Sequence, residues 1–119
     1  MEIKYGTTRI AFLIGRYCIK IPNFTHQYTH GLLGLVNNVE EDVWASMYNP
    51  NLAKVYFACP GGFFNIMERT IPLTELEFNQ LDYKKFITER MSLGQLPIEN
   101  KRDSFGKRKN GKIVAIDFH

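Results

Sequence analysis

Residues 9–22 constrain the fold of this chain more than any other stretch. Ile10, Ala11, Phe12, Leu13 and Ile14 make one apolar run. Tyr17, Cys18, Ile19, Lys20 and Ile21 make a second, with only Gly15 and Arg16 between them. Two such runs around a glycine-bearing two-residue turn read as a β-hairpin. Pro22 ends the second strand because it has no N–H to donate. Lys20 is the one charge inside that strand. An unpaired ammonium is costly to bury, so Lys20 must either reach solvent or meet a carboxylate.

A helix follows. Leu32, Leu35, Val36, Val39, Val43 and Met47 recur at steps of three and four, which places them on one helical face. At about 100° per residue, Glu40 falls beside Val36, Val43 and Met47, and Glu41 falls toward the opposite face. With the apolar face inward, Glu40 is the better partner for Lys20. Glu41 is the alternate if the helix starts differently, and a solvated acidic pair is the plain alternative. Asn49-Pro50-Asn51 stops the helix, since proline disfavours the helical conformation in the residue before it.

Beyond it, residues 54–59 read as a strand, Pro60-Gly61-Gly62 as a turn, and 63–67 as the returning strand. Residues 70–73 read as a connector. Thr74 and Glu77 have capping-box spacing at the start of a short helix. A further helix is expected over 82–93, ended by Gly94. Residues 99–112 are polar and basic, with a turn at Asn110-Gly111, and 113–118 form a last strand carrying Asp117. The order β-β-α-β-β-α-α-β is an α+β pattern with mostly antiparallel strands.

The length of 119 residues suits a single domain over 1–119, and 45% hydrophobic with 13% aromatic residues excludes disorder. A net charge of +3 permits acidic partners without requiring them. Cys18 and Cys59 each lie in an apolar run and read as buried thiols of a reducing compartment rather than a disulfide. Residues 1–6 lack a signal-peptide pattern, and no apolar stretch nears the ~20 residues that span a bilayer. A cytoplasmic protein without a membrane partner is expected.

Several residues suggest binding chemistry. Lys101, Arg102, Lys107, Arg108, Lys109 and Lys112 form a basic cluster that reads first as a solvated loop. Phosphate groups, a nucleic-acid backbone or an acidic protein are its candidate ligands, nucleic acid being the lesser. His26 and His30 share a helical spacing but lack a third metal ligand. Trp44 and Tyr48 on the helix flank read as core. Asp117, at a strand end, suits a hard cation such as magnesium.

Lys20, a helix glutamate about twenty residues on, a hairpin leading to Met67-Glu68-Arg69, and a closing Ile116-Asp117-Phe118 together resemble the protein-kinase fold. The run from Thr8-Arg9-Ile10-Ala11-Phe12 to Lys20-Ile21-Pro22, with Ser104-Phe105-Gly106 and residues 110–117, resembles a family of small kinase-like proteins encoded by tailed bacteriophages. The likeness spans nearly the whole chain. It implies a minimal kinase-like α+β domain: a mostly antiparallel sheet, one packed helix and a reduced helical C-terminal part. It further implies Lys20 as the phosphate-pairing lysine, Glu40 or Glu41 as its anchor, and Met67, Glu68 and Arg69 as an adenine-receiving hinge. Asp117 would be the magnesium ligand, with ATP and magnesium as the corresponding cofactors.

The departures from that pattern are specific. His119 stands where the closing motif has glycine, and no activation segment or substrate lobe is expected after it. Kinase spacing counted back from Asp117 puts the catalytic aspartate near Glu99 and the metal-binding asparagine near Ser104. A glutamate moves its carboxylate by about 1.5 Å, and a misplacement of ~1 Å can slow a reaction ~100-fold. Gly6 and Gly15 are too sparse for a phosphate loop. The expectation is therefore a pseudokinase-like protein that binds and modulates a host bacterial protein, for example as an inhibitor of an anti-phage defence component. The alternative is an ATP- and magnesium-dependent phosphotransferase or nucleotidyl-transferase using Glu99 and Asp117.

Overall fold

The computed structural model describes residues 1–119, and its hairpin keeps the expected register. Strand β2 (Arg9–Ile14) pairs antiparallel with β3 (Tyr17–Pro22), Ile14 opposite Tyr17. Gly15 takes a positive φ of 55° at the first turn position while Arg16 does not, which is the II′ geometry that matches the twist of paired strands. Strand β1 (Glu2–Tyr5) adds to β2. Its residues are all exposed, so no inside–outside alternation marked it in the sequence. Helix α1 (Tyr28–Ala45) comes next in the chain. Strands β4 (Val55–Ala58) and β5 (Asn65–Glu68) complete a five-stranded antiparallel sheet, ordered β1-β2-β3-β5-β4.

The inward face of α1 is the reverse of the expected one. Its buried residues are Gly31, Gly34, Asn37, Asn38 and Glu41. Leu32, Val36, Val39, Val43 and Met47 are 41–58% exposed, and Leu35 is half-buried. Glycine explains the inversion. A Cβ on Gly34 would lie 2.1 Å from the Thr8 carbonyl oxygen and 2.9 Å from the Pro22 Cα. The helix backbone thus lies directly on the strand ends, a distance at which only small residues fit.

The second half holds most of the core. Strands β6 (Ile71–Pro72), β7 (Phe105–Lys107) and β8 (Ile113–Ala115) form a three-stranded sheet. The expected connector and the polar 99–112 segment thus each contain a short strand. Helix α2 (Glu75–Asn79) starts on the expected capping box: the Thr74 hydroxyl accepts from the Glu77 N–H at 3.2 Å and Glu77 accepts from the Thr74 N–H at 2.9 Å. Helix α3 (Tyr83–Thr88) is shorter than expected, because Glu89 is extended and Arg90 has φ 61°. Strand β8 likewise stops before Asp117. Twelve buried residues, including Met67, Phe86, Phe105, Val114 and Phe118, form one apolar cluster around these elements. Phe86 meets Phe105 edge to face at 5.2 Å. Trp44 packs against this cluster, whereas Tyr48 is 90% exposed.

The chain is therefore an α+β fold with antiparallel sheets and few helices. No helix is long and apolar enough to cross a membrane.

Candidate functional site

A cleft of about 760 Å³ is lined by residues of both sheets, among them Ala11, Lys20 and Phe105, and by Asp117. Period-two alternation and strand register build its wall. Ala11, Lys20 and Asn65 lie opposite one another on neighbouring strands and so share a face. Arg9, two residues before Ala11, joins them.

Glu41 organises this wall. Its side chain is fully buried. It accepts from Lys20 Nζ at 3.1 and 3.2 Å, from both terminal nitrogens of Arg9, and from the Phe118 backbone N–H at 3.0 Å. Arg9 reaches on to Asp117 and donates to Asn38 Oδ1 at 3.1 Å. Lys20 donates in addition to the Ile116 carbonyl. Asn38 donates to the carbonyls of Lys20 at 3.1 Å and Gly62 at 2.9 Å, and Asn65 donates to the Asn38 carbonyl at 2.9 Å. Two cations and two carboxylates thus balance within one hydrogen-bonded network. A buried ion cluster is tolerable only with this degree of pairing.

Asp117 is one-third exposed and also faces His119 Nε2 at 3.1 Å. Burial opposes its ionisation. The hydrogen bond from His119 and the charges of Lys20 and Arg9 outweigh that and hold its carboxyl well below the usual aspartate range. Arg9 feels the same balance: burial disfavours its charge, and Glu41 and Asp117 more than restore it, so its pKa is raised. Burial also pushes the Cys18 thiol up. Cys18 and Cys59 are both half-buried free thiols rather than fully buried ones.

The other expected site residues are dispersed. Glu40 is exposed and does not meet Lys20; Glu41 takes that position, because the glycine-bearing side of α1 faces the sheet. Met67 is buried in the apolar core. Glu68 is held by Arg108 at 2.7–3.1 Å and by the Lys54 N–H at 2.9 Å. Burial works against the charge on Glu68, yet these bonds keep its carboxyl below the usual range. Arg69 pairs with Glu2 at 3.1 Å. The backbone N–H groups of Glu68 and Arg69 already bond the carbonyls of Lys54 and Arg16, so these two hinge donors are occupied. Glu99 borders the cleft, exposed and paired with Lys101 at 3.3 Å.

The basic cluster is largely spent on internal pairs. Lys107 bonds Glu77 at 2.8 Å, Arg108 bonds Glu68, and Lys101 bonds Glu99, which leaves Arg102, Lys109 and Lys112 without an ion-pair partner. The hydrogen bonds from Lys107 and from the Thr74 N–H hold the Glu77 carboxyl down at about 2.

The turn between β1 and β2 overhangs the cleft at Gly6, Thr7 and Thr8. Asn23 donates to the Gly6 carbonyl at 2.8 Å, and Asn37 donates to the Thr8 hydroxyl at 3.0 Å. Side chains from two other segments therefore fix this turn.

Arg9 is the principal site residue missed from sequence. Its signal was legible: it lies on the same strand face as Lys20 by period two. Asn38 and Glu41 were marked by their spacing from Gly31 and Gly34 along one helical stripe. No group of three or more histidine, cysteine, aspartate or glutamate side chains is arranged to hold a metal ion. No protein family, curated protein or solved structure matches the chain.

Proposed function

We propose that this chain is a non-catalytic, protein-binding member of the kinase-like class, a pseudokinase-like protein that modulates a host bacterial protein in the cytoplasm. The observation that carries the non-catalytic part is Arg9. Its guanidinium, held by Glu41, also reaches Asp117, the carboxylate that a nucleotide–magnesium site of this class would need free. A divalent cation at Asp117 would sit against that guanidinium, so the residues as arranged do not fit magnesium. The element order, the Lys20–Glu41 pair and the position of Asp117 support the kinase-like assignment.

The docking part rests on the outer face of the five-stranded sheet. Ile3, Phe12, Ile19, Ile66 and Phe57 stand opposite one another on successive strands. Ile19, Ile66 and Phe57 of that row, with Ile14, Tyr17 and Tyr56, line an open hollow of about 290 Å³ with apolar and aromatic side chains only. Such a surface fits a partner that inserts apolar side chains.

The second reading, an ATP-dependent phosphotransferase or nucleotidyl-transferase, is favoured by the size of the cleft beside Lys20, which lies within the ~300–1,000 Å³ of small-molecule sites. Thermal unfolding with and without ATP and magnesium separates the two. The proposal expects no change in Tm. A saturable rise in wild type that is absent in Lys20→Met would replace it with the enzyme reading. For the docking part, a host protein captured by wild type should be lost with folded Phe57→Asp. Equal capture by both would remove the sheet face from the proposal.

A further inference from the structure

Helix α1 has a second face that the site does not use. Tyr28, Leu32, Val36, Val39 and Val43, with Met47 in the following turn, are all exposed, from 41% at Leu32 to 72% at Tyr28. At 100° per residue they fall on one narrow stripe, directed away from the Gly31–Gly34–Glu41 face. Their steps of four, four, three, four and four residues average 3.8, close to the ~3.6 residues of a helical turn, so the stripe runs nearly along the helix axis.

We propose that this stripe is the seam of a two-fold antiparallel dimer, its occupant being a second copy of the same chain. Two features of the helix point to self-pairing in that orientation. The spacing is palindromic: a two-fold axis midway along it sets Tyr28 against Met47, Leu32 against Val43 and Val36 against Val39, so each apolar side chain meets another. The charge is one-sided. α1 contains no lysine or arginine, and its exposed acids, Glu40 and Asp42, lie in the C-terminal half. Parallel pairing would crowd four carboxylates together. Antiparallel pairing separates them and places each pair against the partner's N-terminal half. On that axis Glu40 stands level with Leu35 of the second copy and Asp42 with its Leu33, in a stretch of the helix that carries no acidic residue.

The dimer bears on the site. Glu41 lies on the opposite side of the same helix, so a partner pressing on the stripe braces the element that holds Lys20 and Arg9. A seam of about six side chains is at the small end of specific interfaces, and association in the micromolar range is expected.

Sedimentation equilibrium of the full chain across the micromolar range tests this. The mass should rise from one chain toward two, and Val36→Glu with Val39→Glu should stay monomeric with an unchanged far-UV circular dichroism spectrum. Orientation is read by mixing a Leu32→Cys chain with a Val43→Cys chain: mixed disulfides should exceed the self-linked species of either. If the double variant fails to fold, the wild-type mass and the cysteine pairing decide alone. A wild-type chain that remains monomeric overturns the proposal, as does a dimer that survives the double variant or a Leu32→Cys chain that links chiefly to itself. The same monomeric result in wild type, joined to binding of a basic amphipathic peptide at the stripe, would assign the face to a foreign helix instead.

Discussion

The two halves of this protein are held together by different physics. From residue 52 onward, the chain closes over a cluster of twelve buried apolar residues, centred on Phe105 and its edge-to-face aromatic neighbours. Before that point Ile10 is the only buried hydrophobic residue. The five-stranded sheet and α1 are joined instead by glycine-to-backbone contact and by a network of Arg9, Lys20, Asn38, Glu41 and Asn65. Apolar burial is non-directional and tolerates repacking. A buried polar network is directional, and each member left without its partner carries the full desolvation penalty. The packing of α1 on the sheet is thus specified by geometry, and the apolar stripe of the helix remains outside for other uses.

The sharpest way to break this contrast is Glu41→Ala. It strands Arg9 and Lys20 without their shared carboxylate, and should destabilise by about 3–5 kcal/mol in urea unfolding. Phe105→Ala in the other half should lose a similar ~3–5 kcal/mol, through a cavity rather than an unpaired charge. A cost below ~1 kcal/mol for Glu41→Ala would show the network to be incidental.

Gly34→Ala comes next. Its methyl group would press on the Thr8 carbonyl, and overpacking of this kind costs about 1–3 kcal/mol. Thr74→Ala, which removes the cap of α2, should cost ~1 kcal/mol. On the outward stripe of α1, Val39→Ser should change the stability of the monomer by no more than about 0.5 kcal/mol, measured at dilution. A larger loss there would mean that the stripe faces the protein's own core.

Acid titration sharpens the comparison further. Asp117 is held below its ordinary pKa of 3.8, so the folded protein binds that proton less readily than the unfolded chain. Its stabilisation is fully present above pH ~4 and declines as pH falls through the depressed value. Asp117→Asn should therefore flatten the acid limb of the stability profile, with the difference from wild type greatest above pH ~4. An unchanged limb would show that Asp117 is not coupled to Arg9 and His119.

Much of the architecture was legible in the residues. The 9–22 hairpin, the position of α1, the Thr74–Glu77 capping box and the return at Pro60-Gly61-Gly62 are local, and local chemistry sets them. The strands that escaped notice, β1, β6 and β7, are two to four residues long and gain order only from their neighbours. The expected orientation of α1 is reversed for one reason: its apolar stripe points outward. Periodicity reports that a helix has an apolar face, not which way that face points.

Local sequence settled where Lys20 stands, that a carboxylate-bearing helix follows it, and that Asp117 comes shortly after a strand. It did not settle which glutamate Lys20 meets, or that Arg9 lies between Glu41 and Asp117. Those outcomes depend on how closely α1 approaches the sheet. Gly34 permits an approach to the strand ends that a larger residue would block, and at that distance the polar side of the helix meets the strand carbonyls and buried cations. The partner of a buried charge is chosen by that separation of elements, and the separation exists only once the elements are packed.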